Sequence, residues 1–127
     1  MAGPRSTTRS RRTRVALVAA VLLVGSVLPV PGGRHPEFRL VGPDKLLHLL
    51  GHGAFAAAVV DAFGGTPGPR GARSTGVLAV LLSTGYAILL GRLQERIPGR
   101  ELERADLAAS LLGSVLGAIG WLYRPER

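Results

Sequence analysis

Apolar residues fall into four runs, about Val15–Val30, Leu46–Gly64, Val77–Leu93 and Ala105–Tyr123. A bilayer core takes about 20 apolar residues as helix, with a lower limit of about 17. The first run is slightly short by that measure and the other three fit. A closed β-barrel needs alternating segments of about ten residues, and the chain has none. Backbone polar groups in lipid must be satisfied within the span itself, so the runs predict helices. The expected fold is all-α: a polytopic membrane protein, a compact bundle of four transmembrane helices. The helices are expected at about 15–30, 45–64, 77–97 and 105–123, in one membrane domain over 15–127.

Between the runs lie breakers. Pro31–Pro43 is rich in proline, and Pro43-Asp44 starts the second helix. The stretch Gly64–Gly76 reads as a flexible Gly/Pro connector without acids. Pro98-Gly99 turns the chain before Arg100–Arg104 leads into the fourth helix. That helix closes on Trp121 and Tyr123, an aromatic pair suited to a membrane interface.

Met1–Arg14 carries Arg5, Arg9, Arg11, Arg12 and Arg14 and no acid. It reads as a disordered basic tail held in the cytoplasm by the positive-inside rule. A secretory signal has a similar layout. Here the apolar run ends Leu28-Pro29-Val30-Pro31-Gly32, without a small-x-small cleavage site, so the first helix is read as retained. With both termini inside, the inner side also holds Arg70, Arg73, Arg124 and Arg127. The outer loops hold Arg34, Arg39, Lys45, Arg96, Arg100 and Arg104 together with Glu37, Asp44, Glu95, Glu101, Glu103 and Asp106. The excess of a chain with formal charge +8 therefore falls on the inner face, as an anionic cytoplasmic leaflet favours. Once the spans are removed no soluble basic module is left, so no nucleic-acid partner is expected. The expected location is the cell membrane, in several passes. The absence of cysteine excludes disulfides and thiolate chemistry.

Helix four carries Ala109, Gly113 and Gly117, one small residue per turn, which lets two helix backbones approach closely. Packing within the bundle is the first reading of this stripe and a dimer face the second.

Hairpin connectivity brings polar residues to one membrane face. Helix two begins there with Asp44, Lys45, His48 and His52, of which Asp44, His48 and His52 stand four residues apart and so share one helix side. Helix three ends there with Arg92, Gln94 and Glu95. The turn adds Arg100, and helix four begins with Asp106 and Ser110. Each has an ordinary reading: Asp44 as an N-cap, Asp106 at the positive end of a helix dipole, Lys45 and Arg92 as snorkelling cations. Asp61, near the inner surface, is expected to pair with Arg70 or Arg73. His48 and His52 have the i, i+4 spacing of zinc ligands, with Asp44 or Glu95 as an oxygen donor. No HExxH motif accompanies them, so no metal and no cofactor is expected. His48 as general base, with Asp44 or Glu95 as partner, would make an intramembrane enzyme. No Ser-His-Asp set or phosphate-binding glycine loop supports one.

Asp44-Lys45-x-x-His48, Tyr86, Gln94, Pro98-Gly99-Arg100, Asp106 and Gly113 together resemble the VanZ-like family of small integral membrane proteins. That family is named for a protein associated with low-level teicoplanin resistance, and its biochemical activity is not established. The resemblance spans about Asp44 to Gly120. It adds Tyr86 to the outer-face cluster. It implies a role at the cell envelope, in which the cluster meets membrane lipid, an anionic headgroup or a cell-wall precursor. Lys45 and Arg100 would hold the anion, while Asp44, His48, Gln94 and Asp106 would orient it. The chain departs from the family pattern at Gly91, where an acid is usual, and at Ser110, where asparagine is usual. A purely structural cluster that ties helices together is the other reading.

The shared outer face has a direct test. Asp44→Cys and Arg100→Cys variants should both label with a membrane-impermeant maleimide added from the same side. Labelling from opposite sides would break the proposed convergence.

Overall fold

The computed structural model describes residues 4–27, 43–64, 69–97 and 104–125. All the described secondary structure is helical, with no strand. The helices are α1 (Pro4–Val27), α2 (Pro43–Phe63), α3 (Pro69–Gln94) and α4 (Arg104–Leu122). Three helices are long and apolar enough to cross a membrane, over Lys45–Phe63, Gly71–Gln94 and Arg104–Leu122. Four were expected. The first helix is not among them, because its described apolar part runs only from Val15 to Val27. The Pro31–Pro43 loop before Pro43, the Pro98-Gly99 turn and Arg100 lie outside the described residues.

Two helices start earlier than their hydrophobic runs suggest, for a common reason. Pro4 and Pro69 each occupy a first helical position. There the missing N–H costs nothing and the fixed φ already suits a helix. After Pro4 come arginine, serine and threonine with no glycine, and arginine is a good helix former. From Pro4 onward, the segment expected as a disordered tail therefore forms the first three turns of α1. In the same way, the segment from Pro69 to Gly76, expected as connector, is the start of α3.

The pairing of α2 with α4 is the closest in the bundle. A Cβ placed on Gly113 would strike the Leu49 carbonyl oxygen, and one placed on Gly117 would strike that of Gly53. A Cβ on Gly53 would lie 3.0 Å from the Gly113 carbonyl oxygen. The pairs 49/113 and 53/117 advance together, so α2 and α4 run parallel with their backbones in contact. The glycines of the small-residue stripe thus serve packing within the chain.

α3 and α1 run antiparallel to this pair. Ser83 of α3 meets His52 of α2 and Ser114 of α4. α1 lies against α2 and α3. Leu22 covers Gly51, and the Tyr86 hydroxyl donates to the Ala19 carbonyl at 2.6 Å. At the far end Arg11 Nε and Arg14 Nη1 approach the Asp61 carboxylate at 3.9 and 3.6 Å. Asp61 was expected to pair with Arg70 or Arg73. The helical extension of α1 carries Arg11 and Arg14 to it, while the Arg70 side chain lies outside the described residues.

Polarity is inverted relative to a water-soluble bundle. The largest side chains with almost no exposure are His52, Val59, Ser83, Ser110 and Ser114. Leu47, Leu50, Leu81, Leu89, Leu112 and Leu116 all point outward. The apolar core proper, Phe55, Ala56, Val59, Val60, Ala79 and Ala118, occupies the half of the bundle toward Asp61.

The α2–α4 contact predicts asymmetric costs for glycine substitution. Gly113→Ala or Gly117→Ala should destabilise the purified protein by about 1–3 kcal/mol, the usual range for overpacking. Gly85→Ala and Gly120→Ala, which meet nothing within 4 Å, should be neutral or stabilise by up to about 1 kcal/mol. Thermal unfolding in detergent compares the four.

Candidate functional site

The polar residues of α2 and α4 meet because the parallel pairing sets their N-terminal turns side by side. Asp106, in the first turn of α4, presents both carboxylate oxygens to α2. Lys45 Nζ lies 3.2 Å from Oδ1, and His48 Nε2 lies 3.7 Å from Oδ2. Lys45 and Asp106 are both buried. The lysine expected to snorkel or to hold a ligand is therefore folded onto an internal acid. Removing either charge would leave the other in a poorly solvated place, which typically costs about 3–5 kcal/mol for a buried pair.

From this pair a seam of small polar groups runs inward between α2, α3 and α4. Ser110 Oγ stands 2.9 Å from the Asp106 carbonyl oxygen and 3.4 Å from His48 Nδ1. Ser114 Oγ stands 2.6 Å from the Ser110 carbonyl oxygen and 2.7 Å from Ser83 Oγ. Ser83 Oγ lies 3.1 Å from His52 Nδ1 and 3.3 Å from the His52 carbonyl oxygen. Each hydroxyl has one hydrogen and two or more acceptors within reach. If Ser114 donates to Ser83, Ser83 donates onward either to a bare His52 Nδ1 or to the His52 carbonyl oxygen, accepting Nδ1–H in the second case. If Ser114 donates to the Ser110 carbonyl, Ser83 can donate to Ser114 while His52 Nδ1–H donates to Ser83. Each arrangement satisfies the hydroxyls of the seam.

The two imidazoles are stacked, with ring centroids 6.3 Å apart and planes 3° from parallel. Each presents Nδ1 to a different serine. Among the described residues no three His, Asp or Glu side chains gather as metal ligands.

The other candidates divide. Tyr86 turns away from the cluster, stacking on Phe55 at 5.3 Å between centroids and bonding to α1. Glu95 is exposed and faces Arg92 on its own turn at 3.6 Å. Gln94 is buried at the same end of the bundle as Lys45. The backbone of Asp44 belongs to the first turn of α2, but its side chain lies outside the described residues, as does all of Arg100. Among the described side chains the carboxylate that faces His48 is Asp106 and not Glu95; Asp44, the other expected partner, lies outside them.

Ser83 and Ser114 were not singled out from the sequence. Their signal was the four-residue spacing of Thr75, Ala79, Ser83 and Ala87 in α3, and of Asp106, Ser110, Ser114 and Ala118 in α4. All eight are buried. That spacing marks an inward face whatever its polarity.

Fold and site together define a helical bundle with an apolar exterior, a polar seam in one half of its interior and three helices able to cross a membrane, an organisation consistent with a membrane protein. Comparison with protein-family models, curated proteins and solved structures finds no match for the chain.

The ion pair and the seam should respond differently to deletion. Asp106→Ala should destabilise the protein by about 3 kcal/mol, and Lys45→Met combined with Asp106→Leu should recover most of that loss. Ser114→Ala should cost only about 0.6 kcal/mol, and at most about 1.7, as side-chain hydrogen bonds in membrane bundles do. Unfolding midpoints of the purified variants check both.

Proposed function

We propose that the chain is a VanZ-like, multi-pass protein of the cell membrane, with both termini in the cytoplasm and α1 as a fourth span. In this reading it acts at the envelope, through the polar end of α2 and α4. The observation that carries it is the meeting of Lys45, His48 and Asp106 at one end of a bundle whose flanks are apolar. These are residues of the D-K-x-x-H and Q…PGR…D pattern on which the family resemblance rests. Polar side chains held within a lipid-facing bundle are costly, which makes them candidates for function.

The chemistry is exchange of partners. An anionic group arriving from the outer side, from a lipid headgroup or a cell-wall precursor, competes with Asp106 for Lys45. His48 has one nitrogen toward Asp106 and the other toward Ser110, so it can hydrogen-bond to the newcomer as the pair opens. Arg100 would add a second cation from the turn. No step of bond making or breaking is required, and the reading is one of binding.

A second reading has its own support. Lys45 and Asp106 already satisfy each other, and the serine seam closes on itself. A cluster so paired holds helices together with no ligand.

His48→Ala separates the two. On the binding reading the variant reaches the membrane in normal amount and loses most of the glycopeptide protection that the wild-type chain gives a sensitive host. Loss of membrane accumulation would favour the structural reading. Normal accumulation with full protection would end the binding reading.

A further inference from the structure

The arginines of α1 are divided between two faces. At 3.6 residues per turn, Arg11 and Arg14 share one side and Arg9 and Arg12 share nearly the opposite one. Arg11 and Arg14 are drawn to Asp61. Below them on the same side, Val15, Val18 and Leu22 pack against the core. This contact fixes the rotation of α1, and it aims the other face away from the bundle.

That outward face reads Arg9, Arg12, Ala16, Ala20, Leu23, at spacings of three, four, four and three. All five residues are exposed. The stripe is cationic at the Asp61 end and apolar below, and its apolar part is about 10 Å long at 1.5 Å per residue. Asp61 is the only acid among the described residues at this end of the bundle, and it already faces Arg11 and Arg14. Among the described residues the charge on the outward stripe therefore has no acidic counterpart there.

We propose that this stripe binds an anionic phospholipid, with the phosphate on Arg9 and Arg12 and an acyl chain along Ala16, Ala20 and Leu23. A nucleic acid or a free phosphate ester would engage the arginines and leave the apolar two turns uncovered. A zwitterionic lipid would cover the apolar turns but bring no net charge to the arginines. Only an amphipathic anion matches both parts. The site rests on the membrane reading of the chain and is independent of the cluster at Lys45 and Asp106.

The test uses the full chain in neutral detergent, with phosphatidylglycerol and phosphatidylcholine of identical acyl chains compared by native mass spectrometry. The expected result is preferential, salt-sensitive binding of phosphatidylglycerol. Surface arginines near an anionic leaflet typically strengthen association about fivefold each, so Arg9→Gln with Arg12→Gln should weaken binding about 25-fold. Arg92→Gln with Arg96→Gln, at the opposite end, should leave it unchanged. Both pairs are exposed, so unfolding midpoints in zwitterionic detergent should match wild type. Equal binding of the two lipids, or no loss in the Arg9/Arg12 variant, would overturn the site. Displacement of phosphatidylglycerol by glycerol 3-phosphate at equal concentration would show a free-phosphate site instead. Displacement by a short DNA duplex at physiological salt would show a nucleic-acid surface instead.

Discussion

The contact between the backbones of α2 and α4 governs the rest of the structure. Two helices can touch at carbonyl level only where a side chain is missing, and Gly53, Gly113 and Gly117 supply the gap. The contact also sets a register. Because 49 meets 113 and 53 meets 117, Lys45 and His48 come level with Asp106 and Ser110. The ion pair and the first part of the serine seam follow from that alignment. A shift of α4 by one turn in either direction would take Asp106 off the level of Lys45 and His48.

Around this pair the remaining helices have separate tasks. α3 closes the seam by bringing Ser83 to His52 and Ser114, and its small residues at every fourth position keep it close. α1 is held at three levels: Asp61 at one end, Tyr86 in the middle, and Leu22 over Gly51. Each level uses a different interaction, and together they fix both the height and the rotation of α1. The inverted polarity of the bundle is the same constraint seen from outside. Where lipid surrounds a helix, apolar side chains have nothing to gain by hiding, while hydroxyls and imidazoles must find partners within.

Much of this was legible in the chain. Length and apolar runs sufficed for helices two to four, because a span has few other ways to satisfy its backbone. The convergence of Lys45, His48 and Asp106 followed from alternation of direction alone, and Ala109, Gly113 and Gly117 announced a close helix contact. The pairing inside the cluster was not legible, because rotation of each helix about its axis decides it. Thus His48 faces Asp106, Glu95 turns out to Arg92, and Tyr86 serves α1. Ser83 and Ser114 were overlooked because hydropathy treats serine as neutral, although their spacing placed them inward. The early starts of α1 and α3 were masked by composition, since proline and arginine-rich stretches resemble linkers until proline is read as a first helical residue. For Asp61, sequence proximity pointed to Arg70 or Arg73, and the approach of Arg11 and Arg14 from about fifty positions earlier could only come from the fold.

The parallel arrangement of α2 and α4 also has a consequence for biosynthesis. His48 and Ser110 lie 62 positions apart, and α3 must be threaded between them as the return arm. While the ribosome is still making α3, the Lys45–His52 side of α2 has no mate. His52 gains Ser83 once α3 is in place, but Lys45 and His48 meet Asp106 and Ser110 only after α4 has been made. The polar end of the bundle is thus the last part of the four-helix unit to close.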